Sequence, residues 1–175
     1  MMQMLGAGGM PLLTDYERKP DIDNPRGYLE WEPLKLLGRQ PERIDQAEGR
    51  AVKVISELLF RLPSGRDYRL IFMERPLPEV IASQNKMLAR RDAGELLPEE
   101  QVARALRDHL RELREWLEQK EEIRICRIGY RKLLQDPAGS AKAVRDFLEI
   151  NLDLDAMVRQ VDPELYRNRD KPKSA

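Results

Sequence analysis

The apolar run Leu70-Ile71-Phe72-Met73 ends in Glu74 and Arg75. Two prolines, Pro76 and Pro78, then open a helical stretch that carries Ser83. An apolar run of this kind reads as a strand buried on both faces of a parallel sheet. Ligands of open parallel α/β sheets bind at the carboxyl ends of strands, and Arg75 falls at that edge. Ser83, eight residues on, can face the same point from a helix that starts beside the arginine. A guanidinium and a hydroxyl aimed together suit a phosphate group. The spacing equally allows Arg75 to pair with Glu79 on the surface and Ser83 to bond back to its own helix. The single histidine, His109, and the single cysteine, Cys126, supply neither a metal centre nor a triad by themselves, so no metal ligands are assigned.

These side chains need a sheet and helices to hold them. Three segments have strand character: Ala51-Val52-Lys53-Val54-Ile55, the run at 69–74, and Ile123-Arg124-Ile125-Cys126-Arg127-Ile128. Strands near 51–55, 69–74 and 122–128 are predicted to be mutually parallel, with helices between them, as in α/β proteins. A helix runs from about Pro78 to Arg90. Another opens at Pro98, where proline fits the first turn and Glu99 and Glu100 complement the helix dipole. Along it Val102, Leu106, Leu110, Leu113 and Leu117 recur at helical spacing. His109 and Trp116 flank that stripe, so His109 reads as a boundary residue of a packed helix. Further helices span Ala138 to Leu148, behind Asp136-Pro137, and about Asp155 to Gln160. Long loops occupy Asp15 to Pro33 and Asp92 to Pro98.

The chain has 175 residues, with 31 Lys plus Arg against 31 Asp plus Glu. Its length fits one domain, 1–169, with a frayed tail at 170–175. Zero net charge argues against a general nucleic-acid partner. Met1 to Leu13 is nearly uncharged, yet the first basic residue is Arg18, which does not suit a signal peptide. Asp15, Glu17 and Arg18 end the run well short of the roughly 20 apolar residues a membrane span needs. It reads as a buried helix. One cysteine implies no disulfide framework, and a reducing cytoplasm is the natural compartment.

The segment Ile125-Cys126-Arg127-Ile128-Gly129-Tyr130, followed by Leu133-Leu134, Asp136-Pro137 and Phe147-Leu148, resembles the corresponding region of the bacterial sulfotransferase family. The Arg75…Ser83 spacing resembles that family's motif for the 3′-phosphate of 3′-phosphoadenosine 5′-phosphosulfate. Asp23-Asn24-Pro25-Arg26-Gly27-Tyr28-Leu29-Glu30 resembles the loop after its first helix, and Ala51-Val52-Lys53-Val54 the strand before its phosphate-binding arginine. The resemblance covers roughly Met1 to Arg169. It implies a three-layer parallel sheet flanked by helices, of the P-loop nucleoside-triphosphatase type, and transfer of a sulfuryl group to a hydroxyl or amine of a small-molecule, glycan or peptide acceptor. It also implies cofactor-binding roles for Arg75 and Ser83, a place for Lys53 near the transferring group, and Glu30 as the base, since Ile55 stands where many members carry a histidine.

The family's first strand and glycine-rich phosphate loop have no counterpart in the chain. Gly6-Ala7-Gly8-Gly9 lacks the neighbouring Lys, Arg, Ser or Thr. A sequence missing its first strand is therefore expected, with little or no transfer activity and possible self-association through an exposed sheet edge. Two readings compete with the enzyme: a nucleotide-binding relic without catalysis, and a non-enzymatic protein whose charged helix from Pro98 to Lys120 packs on a partner.

Overall fold

The computed structural model describes residues 1–22, 24–90 and 98–165. In chain order its elements are α1 (Met2–Ala7), α2 (Ser56–Leu59), β1 (Tyr68–Glu74), α3 (Leu77–Arg90), α4 (Glu99–Glu118), β2 (Ile123–Gly129), α5 (Tyr130–Gln135), α6 (Pro137–Leu148) and α7 (Leu154–Val158). Short 3-10 turns occupy Glu32–Leu36, Pro41–Ala47 and Pro163–Leu165. The fold is mixed α/β. Most of the connector at 92–98 and the tail from 167 lie outside the described residues.

Strands β1 and β2 pair in parallel, from Tyr68 opposite Ile123 to Glu74 opposite Gly129. Parallel neighbours need a long crossover, and α3 and α4 lie along it. The third strand expected at 51–55 is not formed. Ala51 makes one parallel bridge to Leu12, with Leu13 N–H on the Ala51 carbonyl at 2.9 Å and Ala51 N–H on the Pro11 carbonyl at 2.8 Å. Residues 52–55 then continue outside any ladder into α2. A strand exists only by pairing, and this β-branched run meets too little partner backbone. For the same reason β1 is not buried on both faces. Residues 68–73 are only half-buried, because among the described residues β2 is the one strand paired with β1.

The helices follow the sequence pattern closely. Pro137 opens α6 at a position that needs no N–H donor, and Asp136 caps it by accepting from Gly139 N–H at 2.8 Å. Asp153 caps α7 in the same way through Ala156 N–H at 2.8 Å. Helix α4 buries Leu113 and Leu117 of its stripe. The N-terminal apolar stretch forms the short helix α1, with Met4 and Leu5 buried. A side chain at Gly8 would place its Cβ 2.7 Å from Met157 Cγ, so glycine there lets α1 close on α7. Met4, Leu5, Ile128, Leu133, Val144 and Met157 form one core cluster. Leu34, Leu37 and Ile44 anchor a second beneath the 3-10 turns, and Leu59, Leu113, Leu117 and Ile123 a third. Among the described residues no helix is long and apolar enough to cross a membrane.

Candidate functional site

Strand register decides what meets at the carboxyl edge of the sheet. Glu74 lies opposite Gly129, so Arg75 and the Tyr130-Arg131 pair leave adjacent strands side by side. The Arg75 guanidinium sits 5.3 Å from the centre of the Tyr130 ring. Arg75 Nε donates to Glu79 Oε2 at 3.0 Å. Arg131 Nε donates to the other oxygen, Oε1, at 2.9 Å, and its Nη2 also contacts that oxygen. The Glu79 side chain is only 1% exposed. The pairing of Arg75 with Glu79 therefore forms, but in the interior and not on the surface, because α3 turns Glu79 inward under the strand ends.

Ser83 lies one turn beyond Glu79 on α3 and is half-buried. Residues four apart on a helix share a face, so Ser83 follows Glu79 along the same side. Arg75 and Ser83 thus relate to one face of α3, with the Glu79 carboxylate as the group that directly engages the arginine. The sequence alone gave no sign of Arg131, which reaches Glu79 across 52 positions. Only the parallel register brings it there.

A second charged cluster joins two other sequence-derived residues. Lys53 Nζ donates to Glu30 Oε1 at 2.9 Å and to the Tyr28 carbonyl at 3.2 Å. Arg18 Nη1 lies 3.4 Å from Glu30 Oε2, and its guanidinium stacks 3.2 Å from the centre of the Tyr28 ring. The Tyr28 hydroxyl in turn donates to Asp21 at 2.7 Å. Partial burial pushes the Glu30 carboxyl up, but the hydrogen bonds and charges of Lys53 and Arg18 outweigh that, so its pKa is lowered. Glu30 is therefore ionised near neutrality.

One member of each cluster, Arg75 and Lys53, lines a cleft of about 1310 Å³. Lys53, Arg75 and residues of β1 line it, as do Arg50, Arg66, Arg69, Arg114 and Arg127, whereas Glu30 and Ser83 lie outside the lining. His109 and Ser56 also face it. His109 Nε2 is 2.8 Å from Ser56 Oγ, and its ring meets Phe60 edge-on at 5.8 Å. These contacts join α4 to α2, in keeping with a packed helix-boundary residue. The Cys126 thiol is half-buried, and burial raises its pKa, so it is no activated nucleophile.

Chemically, the cleft presents cationic side chains, Lys53 and Arg75 among them, alongside acidic ones such as Glu74 and Glu149. No family model matches the chain, and neither a curated protein nor a solved structure does.

Proposed function

We propose that the chain is a sulfotransferase-like domain that binds the 3′-phosphorylated nucleotide end of 3′-phosphoadenosine 5′-phosphosulfate. The family reaction is sulfuryl transfer to a hydroxyl or amine acceptor, in a reducing cytoplasm. The observation that carries this reading is the position of Arg75, just beyond the carboxyl end of a parallel strand and in the lining of a large cleft that Lys53 also lines. The donor set fits one end of this co-substrate better than the other. Arginine suits a phosphate through its planar fork of N–H donors. The 5′-phosphosulfate asks for a nest of backbone N–H groups at a helix N-terminus, and the sequence contains no glycine-rich phosphate loop. In this reading the polypeptide retains the nucleotide and transfers little or nothing. The three-layer arrangement belongs to the same proposal, with support from the parallel register of β1 and β2 and the extended segment at 52–55.

Calorimetric titration with 3′-phosphoadenosine 5′-phosphate tests it. Arg75→Ala should weaken binding by at least about tenfold, the size expected when a charge-assisted contact is lost. Arg111→Ala removes an outer-face residue of α4 paired with Asp108 and should leave affinity unchanged. Equal affinity in both variants, or no binding by the parent chain, overturns the reading.

A further inference from the structure

Ser56 and His109 meet across 53 positions of sequence, and the nucleotide reading uses neither. Ser56 opens α2, where the extended segment at 52–55 turns into the helix, and His109 lies in the middle of α4. His109 Nε2 is 2.8 Å from Ser56 Oγ, the reach at which an imidazole can take a hydroxyl proton. The hydroxyl also lies 3.4 Å from Glu57 Oε2, so the imidazole is the closer partner. Aromatic packing steadies the ring. Phe60 meets it edge-on at 5.8 Å and itself packs edge-on against Trp116 at 5.3 Å. Both residues of the pair are half-buried, and both line the large cleft. Leu106 and Leu113, three residues before and four after His109, share its face of α4 and line the same cleft. An apolar chain can therefore lie along α4 with its polar end at the Ser56 hydroxyl.

We propose that Ser56 and His109 form a nucleophile–base pair for hydrolysis of carboxylic esters with an uncharged, apolar acyl group. This activity is distinct from sulfuryl transfer and stands independently of the nucleotide reading. Ser56 Oγ bonds to the ester carbonyl carbon while its proton passes to His109 Nε2. The carbon–alkoxy bond then breaks, and the proton on Nε2 goes to the leaving oxygen, which departs as an alcohol. Water next attacks the acyl group on Ser56 and gives a proton to Nε2. That proton returns to Ser56 Oγ as the carbon–Oγ bond breaks and the carboxylic acid leaves. The sum is ester plus water to acid plus alcohol, with no change of oxidation state.

The test uses the full chain and two probes, p-nitrophenyl butyrate and an alkyl fluorophosphonate. The parent should turn over the ester. The fluorophosphonate, losing fluoride, should leave one adduct that peptide mass mapping places on Ser56. Ser56→Ala should abolish the adduct and lower hydrolysis by about a hundredfold or more. His109→Gln should slow both reactions by about a hundredfold, the lower range for a positioned general base. Ser64→Ala, at an exposed serine outside the cleft lining, should change neither. The chain has a single histidine, so its ring nitrogen spectrum is unambiguous. In the neutral ring Nδ1 should carry the proton, leaving Nε2 to accept from Ser56. A neutral ring protonated at Nε2 overturns the proposal, as does a parent chain that forms no adduct on Ser56. Hydrolysis that survives Ser56→Ala, or an adduct that forms as fast in His109→Gln as in the parent, also overturns it. If His109→Gln does not fold, the ring spectrum and the site of the adduct in the parent decide.

Discussion

Glu30 illustrates how neighbouring charges tune a carboxylate. Despite partial burial, Lys53 and Arg18 lower its pKa from an ordinary 4.5. A group whose pKa is lower in the folded state contributes stability that is fully present above its unfolded value. That contribution disappears as the pH falls through the folded value. The chain should therefore lose stability in the acid range below about pH 4.5, in part through this residue. Glu30→Gln should cost about 1–2 kcal/mol at neutral pH, the range for a charge-assisted, partly buried contact. It should also flatten the acid limb of a denaturant-midpoint profile. A variant with the parent's full acid limb would show that Glu30 is not coupled to Lys53 in solution. At this scale the sequence was informative about identity and poor about environment. Arg75 and Glu79 are visible as partners four residues apart, and their surface pairing was the natural expectation. The burial was invisible, because it depends on Arg131 arriving from a different element. Lys53 and Glu30 were singled out separately, by resemblance, and their 2.9 Å contact emerges only when the loop at 28–30 folds back on the extended segment at 52–55.

The elements that were legible are those whose signals are local. The α4 stripe repeats at helical spacing, and Asp136-Pro137 combines a side-chain cap with a residue suited to the first turn. Asp136→Ala should destabilise the chain by about 1 kcal/mol, the usual value of such a cap. Chemical denaturation checks this, and an unchanged midpoint with unchanged slope would remove the cap from α6's stability. Packing between elements should matter more. Met157 is 0% exposed and sits where α1, α6 and α7 meet, so Met157→Ala should cost about 2–5 kcal/mol. A loss below about 1 kcal/mol would mean that this junction collapses to fill the space. The segment at 51–55 forms one bridge and no ladder because strand formation is not a local property. Five residues of suitable type gain nothing until a neighbouring strand supplies donors and acceptors. Ala51 finds Leu12, and the rest finds no ladder. The same absence of a neighbour explains why an apolar run as strong as Leu70 to Met73 stays half-buried.

At the scale of the whole molecule, the cleft and the charge balance act together. The cleft exposes apolar side chains from β1 and from the upper part of the α4 stripe, where Leu106 and Leu110 face it outside the three core clusters. A half-paired strand next to such a surface offers both backbone groups and apolar area to another chain. Electrostatic repulsion does little to oppose this, since the formal net charge is zero at pH 7 and chains near neutrality associate readily. The polypeptide should therefore self-associate, with a sedimentation coefficient that rises over a roughly hundredfold range of concentration, as expected for an unprotected strand edge. Leu110→Glu places a charge on the cleft wall without touching the buried Leu113 and Leu117. It should shift the distribution toward monomer while changing the melting temperature by only a few degrees, as substitutions outside the core generally do. Added salt separates the apolar and charge contributions. Screening shortens the reach of surface charges to about 8 Å at physiological ionic strength and further above it. Association through the cleft should persist at high salt, and association through complementary surface charges should fade. A parent chain that stays monomeric throughout the concentration series, or a Leu110→Glu variant that associates as strongly as the parent, would show that the cleft is closed to other chains in solution.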